Sequence, residues 1–352
     1  MADSAYARAG VDTSRADSAI SGLVDVLRTI DTGKPSRSLL RSGHYAAVLE
    51  LNGVGLALST DGVGSKVIVA EQLGRYDTVG IDCVAMNVND LVCVGAEPIA
   101  LLDYIAVEDA DPEVLRQIGA GLKEGAEQAG VEIPGGELAQ LPELIRGHPS
   151  PRGFDLAASS FGIVAIDAIV TGEAIAPGDA VIGLPSSGLH SNGYTLARRA
   201  LPDLDESFGD GTVGDELLRP TAIYVRAALE LLRAPGIDVH GLAHITGDGF
   251  LNLPRLSETV GWLIDSPLPV PPVCELIAER ASVPDEDMWE TFNMGCGFCC
   301  VVPATQADAA VELVAQRHPG AALIGSVTGT RGLVELPRAG LAGRRGEGLR
   351  RS

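Results

Sequence analysis

The chain has 352 residues and carries 26 Lys and Arg against 47 Asp and Glu, a formal charge of −21 at pH 7. No basic stripe of the kind a polyanion requires is visible, which excludes nucleic acid as a partner class. No apolar run approaches the roughly 20 residues that span a bilayer, and this excludes a membrane helix. With 46% hydrophobic and 21% charged residues, the composition is that of a folded chain. Its length predicts two domains, residues 1–166 and 167–337. Residues 338–352 are Gly- and Arg-rich without apolar periodicity, and read as a disordered tail. Met1-Ala2-Asp3-Ser4 has neither the basic nor the apolar part of a signal peptide, so a cytoplasmic location is expected. Only Lys34, Lys66 and Lys123 are lysines, a bias that a GC-rich genome and a saline cytoplasm explain equally well. Six cysteines are too sparse for a disulfide framework. Cys296-x-x-Cys299 has no second ligand pair and reads as part of a buried strand.

Taken in order, Asp17–Thr29 shows apolar positions at helical spacing. Tyr45–Leu51 and Val54–Thr60 form a hairpin pattern around Asn52-Gly53, the strongest short-range turn signal. Ser65–Leu73 and Ile81–Val94 read as helices and Ile99–Val107 as a strand. A long helix is expected from Pro112, which suits a first-turn position, to Gln128, with Gly130 just past its end. Phe154–Ile166 reads as a strand apolar on both faces, and so buried. Beyond residue 167, strands at Asp179–Leu184, Val260–Ile264, Phe298–Val302 and Ala321–Val327 alternate with helices at Asn192–Ala200, Ala222–Leu232, Val273–Ala281 and Gln306–Gln316. The fold class is therefore mixed α/β.

Chemistry concentrates in a few segments. Thr60-Asp61-Gly62-Val63-Gly64-Ser65-Lys66 leaves a strand and enters a helix. There glycines permit close backbone approach and helix-start N–H groups suit phosphate oxygens. A tight turn with a capping aspartate fits equally well. In Gly80–Pro98, Asn87, Asn89 and Asp90 interrupt an apolar helix, and such residues are costly unless paired or binding something; a metal–phosphate role is the reading we favour. Asp61, Asp90, Asp103 and Glu137 make a set of hard oxygen ligands suited to Mg²⁺ carried by a nucleotide, although each alone is as readily a cap or turn residue. Ser186–Tyr194 follows a strand and precedes a helix, and suits a phosphate or polar substrate. His190, embedded in that loop, is the acid–base candidate. His244–Phe250 is a similar polar, glycine-rich turn, whereas His44, His148, His240 and His318 have no comparable context.

These segments, in this order, resemble the phosphoribosylformylglycinamidine cyclo-ligase (AIR synthetase) family. The resemblance runs from Tyr6–Asp12 through Thr60–Lys66, Asp90-x4-Gly95-Ala96-x-Pro98, Ser186–Tyr194, Arg219–Tyr224 and His244–Phe250 to Thr291–Gly295. It implies a two-domain fold whose N-terminal halves build a shared β-barrel in a homodimer, with nucleotide near the subunit interface and an α/β C-terminal domain. It also implies ATP-dependent ring closure of formylglycinamidine ribonucleotide with Mg²⁺, through an imino-phosphate. Asp61, Gly62, Gly64, Lys66, Asp90, Gly95 and Ala96 fall on the nucleotide side. Ser187, His190, Ser191 and Asn192, with Thr246 and Gly247, fall on the substrate side, and Asp90, His190 and Lys66 carry catalysis. The chain departs from the family pattern at Arg41–Ala46, Leu138, Gln140 and Asp248. Those departures keep open a second class, an impaired nucleotide-binding scaffold protein.

Overall fold

The computed structural model describes Gly10, residues 13–41 and residues 43–352. Of the Tyr6–Asp12 motif all but Gly10 lies outside the described residues, as does Ser42. Helix α1 (Thr13–Leu27) leads into strands β1 (Ala47–Leu51) and β2 (Val54–Gly62). A 3-10 turn, Gly64–Lys66, joins β2 to α2 (Val67–Leu73), and α3 (Val79–Cys93) and β3 (Glu97–Val107) follow. Then come α4 (Pro112–Ala129), β4 (Glu132–Gln140) and β5 (Phe154–Ala165). The chain makes these elements for local reasons. Asn52 and Gly53 both adopt positive φ at the β1–β2 turn, as a two-residue hairpin demands. Asp111 caps α4 by accepting from the Glu113 and Val114 amides, Pro112 opens the helix, and Gly130 ends it in the left-handed region.

The first sheet has the order β1-β2-β5-β3-β4, antiparallel except for the β3–β4 pair. Helix α3 lies against β2, β5 and β3, and α4 packs on α3. Strand β5 is not buried on both sides as its composition suggests: inward residues such as Leu156 and Val164 alternate with accessible ones such as Ser159 and Ile163. The outer face carries exposed Leu102, Tyr104 and Ile163, with half-buried Leu56, Leu58 and Phe161 beside them.

The rest of the chain begins with β6 (Ala180–Pro185), α5 (Tyr194–Ala200), the short pair β7 (Ser207–Phe208) and β8 (Gly211–Thr212), α6 (Val213–Leu217) and α7 (Val225–Arg233). It continues through β9 (Gly241–His244), β10 (Gly261–Leu263), α8 (Pro272–Ala281), α9 (Asp285–Thr291), β11 (Cys296–Val302), α10 (Ala307–Ala315) and β12 (Ala322–Thr328). It closes with β13 (Leu333–Leu336), β14 (Leu341–Arg344) and β15 (Gly348–Arg351). Its sheet has the order β15-β14-β13-β10-β12-β6-β11-β9, in which only β10–β13 is parallel among the pairs. Residues 338–352 are thus not a disordered tail. They add β14 and β15 to the sheet edge, with Leu341 and Leu349 buried and the Leu349 amide bonded to the Glu290 carboxylate. Cys296, Cys299 and Cys300 lie buried on β11, in line with the strand reading. One apolar core runs through both halves of the chain, so the seam between the two sheets is packed.

Candidate functional site

Helix α3 organises the seam. Asn87 clamps the end of β2: its Oδ1 accepts from the Asp61 amide at 3.1 Å, and its Nδ2 donates to the Asp61 carbonyl at 3.1 Å and the Cys83 carbonyl at 2.9 Å. Two residues on, Asn89 reaches the other half of the chain, donating to the Ala222 carbonyl and accepting from the Tyr224 amide, both at 2.9 Å. Both asparagines are fully buried and their polar atoms are in use. They are pins, and the metal–phosphate role read for all three polar residues of this helix narrows to Asp90.

Asp90 points into the seam with its side chain 17% exposed, and its Oδ1 lies 3.0 Å from His244 Nδ1. His244 Nε2 faces Asn89 Nδ2 at 3.5 Å. An amide nitrogen can only donate, so Nε2 is the acceptor and Nδ1–H is the donor to Asp90. His244 thereby joins the site. Sequence reasoning had noted its turn without giving the residue a role; the available signal was a histidine at a strand end entering a glycine-rich turn. Asp61 is close enough to feel Asp90, and burial first, then this like charge, raise its carboxyl above the usual range. Gly62 donates to Asp61 Oδ1 at 2.7 Å, and Gly64 is exposed at φ 69°.

The other two carboxylates stand apart. Asp61, Ala158 and Asp103 are cross-strand partners on β2, β5 and β3, so Asp103 sits two strands from Asp61, about 10 Å at the backbone. Its carboxylate lies over Gly136, where a Cβ would be 2.3 Å from Oδ1. Glu137, on edge strand β4, is exposed and accepts from the neighbouring Leu138 amide at 3.0 Å. Among the described residues no three His, Cys, Asp or Glu side chains come together as a ready metal site. The expected four-carboxylate set is therefore not preassembled. What remains is Asp61 with Asp90, and one or two carboxylates are what Mg²⁺ takes when phosphates supply its other oxygens.

Lys66 differs most from its expected place beside a phosphate. It is fully buried, with Nζ 2.9 and 2.8 Å from the two Asp82 oxygens, 3.2 Å from the His190 carbonyl and 2.7 Å from the Arg219 carbonyl. No hydrogen of the ammonium is left for a ligand. Gly95 and Ala96 also lie elsewhere, at the C-terminal end of α3, about 12 Å along the helix from Asn87. Gly95 takes φ 78° against the Ala168 carbonyl and lines a cavity of about 750 Å³ with Ile163, Val170 and His240. Ala96 is buried in a small apolar cluster.

The Ser186–Tyr194 loop closes over the seam. A Cβ on Gly64 would stand 3.9 Å from the Ser191 carbonyl, and one on Gly247 would stand 3.4 Å from Asn192 Oδ1. The loop thus touches both the β2 loop and the Thr246–Gly247 turn. Ser187 is committed, its hydroxyl donating to the Pro220 carbonyl at 2.6 Å and its amide to His190 Nε2 at 3.2 Å. Ser191 Oγ meets Thr221 Oγ1 at 3.4 Å. Because His190 Nε2 accepts, its proton is on Nδ1, and this buried donor has no partner among the described residues. Burial, together with the neighbouring His244 and Lys66, holds His190 far below the usual histidine range, hence neutral. Asn192 Nδ2 is a second buried donor without a partner among the described residues. Native interiors leave few such groups. Ser186 Oγ is likewise buried without a partner among the described residues, and three such atoms in one loop mark a place where a ligand's polar groups belong.

His44, read from sequence as an ordinary residue, is also drawn in. Its Nδ1 accepts from the Tyr45 amide at 3.0 Å, and Arg255 stacks on the Tyr45 ring at 4.1 Å. Burial, then Arg255 and Arg41, lower its pKa from 6.5 to about 4. The unfolded chain therefore binds a proton at higher pH than the folded one. The stability contributed by this residue is complete above pH 6.5 and is lost as pH falls toward 4, by up to about 3 kcal/mol. Denaturant unfolding at pH 7.5 and 4.5 should show this loss, and His44→Gln should flatten the slope while leaving the part due to His190, which has the same sign.

Residues 43–164 match the family described as AIR synthase related protein, N-terminal domain, and residues 176–335 match its C-terminal domain. A phosphoribosylformylglycinamidine cyclo-ligase of Methanothermobacter thermautotrophicus is 49% identical, over 94% of this chain and 96% of that one. The like-named protein of Thermococcus kodakarensis is 46% identical over 93% and 96%. Among solved structures, thiamine-monophosphate kinase of Stenotrophomonas maltophilia aligns with a TM-score of 0.61 at 21% identity, covering 89% of this chain and 95% of that one. Hydrogenase maturation protein HypE in complex with ATP aligns at 0.58 and 23%, covering 82% and 83%. At such identities these two show the shared fold. By the matched domains and the curated relatives, this chain belongs to the phosphoribosylformylglycinamidine cyclo-ligases, ligases of purine biosynthesis within the AIR synthase related family.

Proposed function

We propose that the seam between the two sheets binds ATP on the Asp61–Gly64 and Asp90 side and formylglycinamidine ribonucleotide on the Ser187–Asn192 and Thr246–Gly247 side. The observation that carries this reading is the pair of unpartnered donors, His190 Nδ1 and Asn192 Nδ2, in a loop that abuts the exposed glycine of the β2 loop. The formyl amide oxygen is a poor leaving group. Phosphorylating it gives an imino-phosphate, which the amidine nitrogen attacks at carbon, expelling phosphate and closing the imidazole. Bound Mg²⁺ would neutralise phosphate charge, with Asp61 and Asp90 as its protein ligands. His190, neutral and donating, suits holding a substrate oxygen better than accepting a proton, since its acceptor nitrogen is taken by the Ser187 amide. The chain's own contribution is mostly positioning and preorganised charge.

The outer face of the first sheet, with Leu102, Tyr104 and Ile163 exposed, is proposed as the face on which two copies build a shared barrel. The test of both parts uses one purified sample, incubated with formylglycinamidine ribonucleotide, ATP and Mg²⁺. Equal release of ADP and aminoimidazole ribonucleotide from a particle with twice the chain mass by light scattering is expected. ADP without aminoimidazole would move the activity to another acceptor. ATP binding with neither product would favour the scaffold class, and a monomeric particle would remove the barrel.

A further inference from the structure

We propose that the buried Lys66–Asp82 ion pair is a positioning device: through the His190 carbonyl it keeps the Ser187–Asn192 loop in register with the Asp61–Gly64 loop, so that affinity for the substrate depends on two charges that touch no ligand. Lys66 ends the same loop that begins at Asp61, and its ammonium crosses the seam to two backbone carbonyls, those of His190 and Arg219. Asp82, from the first turn of α3, answers from the same side by accepting the Thr221 amide at 2.8 Å and the Thr221 hydroxyl at 2.6 Å. The segment thus held, Arg219–Thr221, is the one that in turn holds the substrate loop, with the Pro220 carbonyl taking the Ser187 hydroxyl and Thr221 meeting Ser191.

His190 itself sits at φ 63°, in the left-handed region that non-glycine residues avoid, so its surroundings must impose the conformation. Its carbonyl bond to Lys66 and its ring bond to the Ser187 amide are the two polar contacts that do so. An apolar pair of equal volume could fill the space between Lys66 and Asp82 but could not bond carbonyls from two separate segments. Buried ion pairs add little net stability over such a replacement, and their best-attested use is fixing register. Because the pair joins a loop on the nucleotide side to one on the substrate side, a shift of the first is passed to the second without a shared ligand contact.

This inference rests on the cyclo-ligase reading. The test compares the wild-type full-length chain with Lys66→Met, the double variant Lys66→Met/Asp82→Asn, and the milder Thr221→Val, which keeps the ion pair but removes one of its tethers. The double variant leaves no unpaired charge, so it is expected to lose less stability than Lys66→Met alone, although the His190 and Arg219 carbonyls lose their donor. Its KM for formylglycinamidine ribonucleotide should rise about 10- to 100-fold, with ATP affinity unchanged and the ¹⁵N shifts of the His190 imidazole displaced. Thr221→Val should move both substrate readouts the same way by a smaller factor, and it decides the matter if the double variant does not fold. Wild-type KM together with unchanged His190 shifts in whichever variant folds would overturn the proposal. Absence of turnover in the wild-type chain would sink the cyclo-ligase reading instead, and the imidazole shifts, recorded without ligand, would still decide on the device.

Discussion

Asp90→Asn is expected to lower turnover by about 10²- to 10³-fold while shifting the thermal midpoint by no more than a few degrees. The substitution is nearly isosteric, and an amide oxygen can still accept from His244 Nδ1–H across the 3.0 Å contact. Tyr224 and Ala222 remain pinned by Asn89, so the seam keeps its packing. What disappears is a negative charge beside Asp61. That charge helps raise the Asp61 carboxyl, so in the variant Asp61 should titrate at lower pH. The pair would then offer one carboxylate in place of two to the proposed phosphate-borne cation, and neutralise it less. Turnover at saturating ATP and substrate, set beside a melting curve, separates this from a folding defect. Undiminished turnover would place the cation elsewhere, and Asp103 would be the next carboxylate to test.

Much of the architecture was legible because single residues declared it. Asn52-Gly53 fixed the hairpin, and Asp111-Pro112 with Gly130 bracketed α4, where cap and terminator agree with the apolar spacing. Strand β4 was missed because Gly135-Gly136 interrupts its apolar pattern; it is an edge strand, and the glycine at 136 leaves room for the Asp103 carboxylate. The C-terminal strands were missed for a related reason. β14 and β15 each bury one leucine in a run of Gly and Arg, too little for periodicity to register, and they are held by pairing to a preceding strand. Strand β5 was over-read, since its small residues, Ala157, Ser159 and Gly162, look apolar or neutral on both faces while only one face is covered.

The site divides along a similar line. Sequence named the loops correctly as places where polar groups collect, yet could not say which atoms were free. Lys66, Asn87 and Asn89 are polar residues in apolar surroundings, and cost alone says that such residues must be paired or bind something. Pairing was the answer for all three, and the partners, Asp82, the Asp61 peptide and the Tyr224 amide, lie between 16 and 135 positions away in the chain. His244 became visible only when β9 was placed beside α3. Nothing local to Gly247 or Asn192 predicts that they adjoin.

The largest effect on stability should come from a residue with no chemistry at all. Gly121→Val, in the middle of α4, is expected to cost about 3 kcal/mol or more, a large part of the roughly 5–15 kcal/mol by which an ordinary chain is stable. A Cβ at Gly121 would lie 2.2 Å from the Asp77 carbonyl oxygen, and one at Gly80 would lie 2.2 Å from the Leu122 amide nitrogen. Both obstacles are backbone, so no rotamer change relieves them. The two helices touch through paired glycines, and any side chain there must push α3 away from α4. Since α3 carries Asn87, Asn89 and Asp90, the displacement would carry the β2 clamp and the His244 contact with it. Gly119→Ala on the same helix is the control. A Cβ there meets nothing within 4 Å, so the substitution should stabilise by about 0.5–1 kcal/mol through helix propensity alone. Chemical denaturation of the two variants reads the contrast directly. Equal stabilities would mean that the α3–α4 approach is looser than the structure places it, and with it the geometry by which the helix presents Asp90.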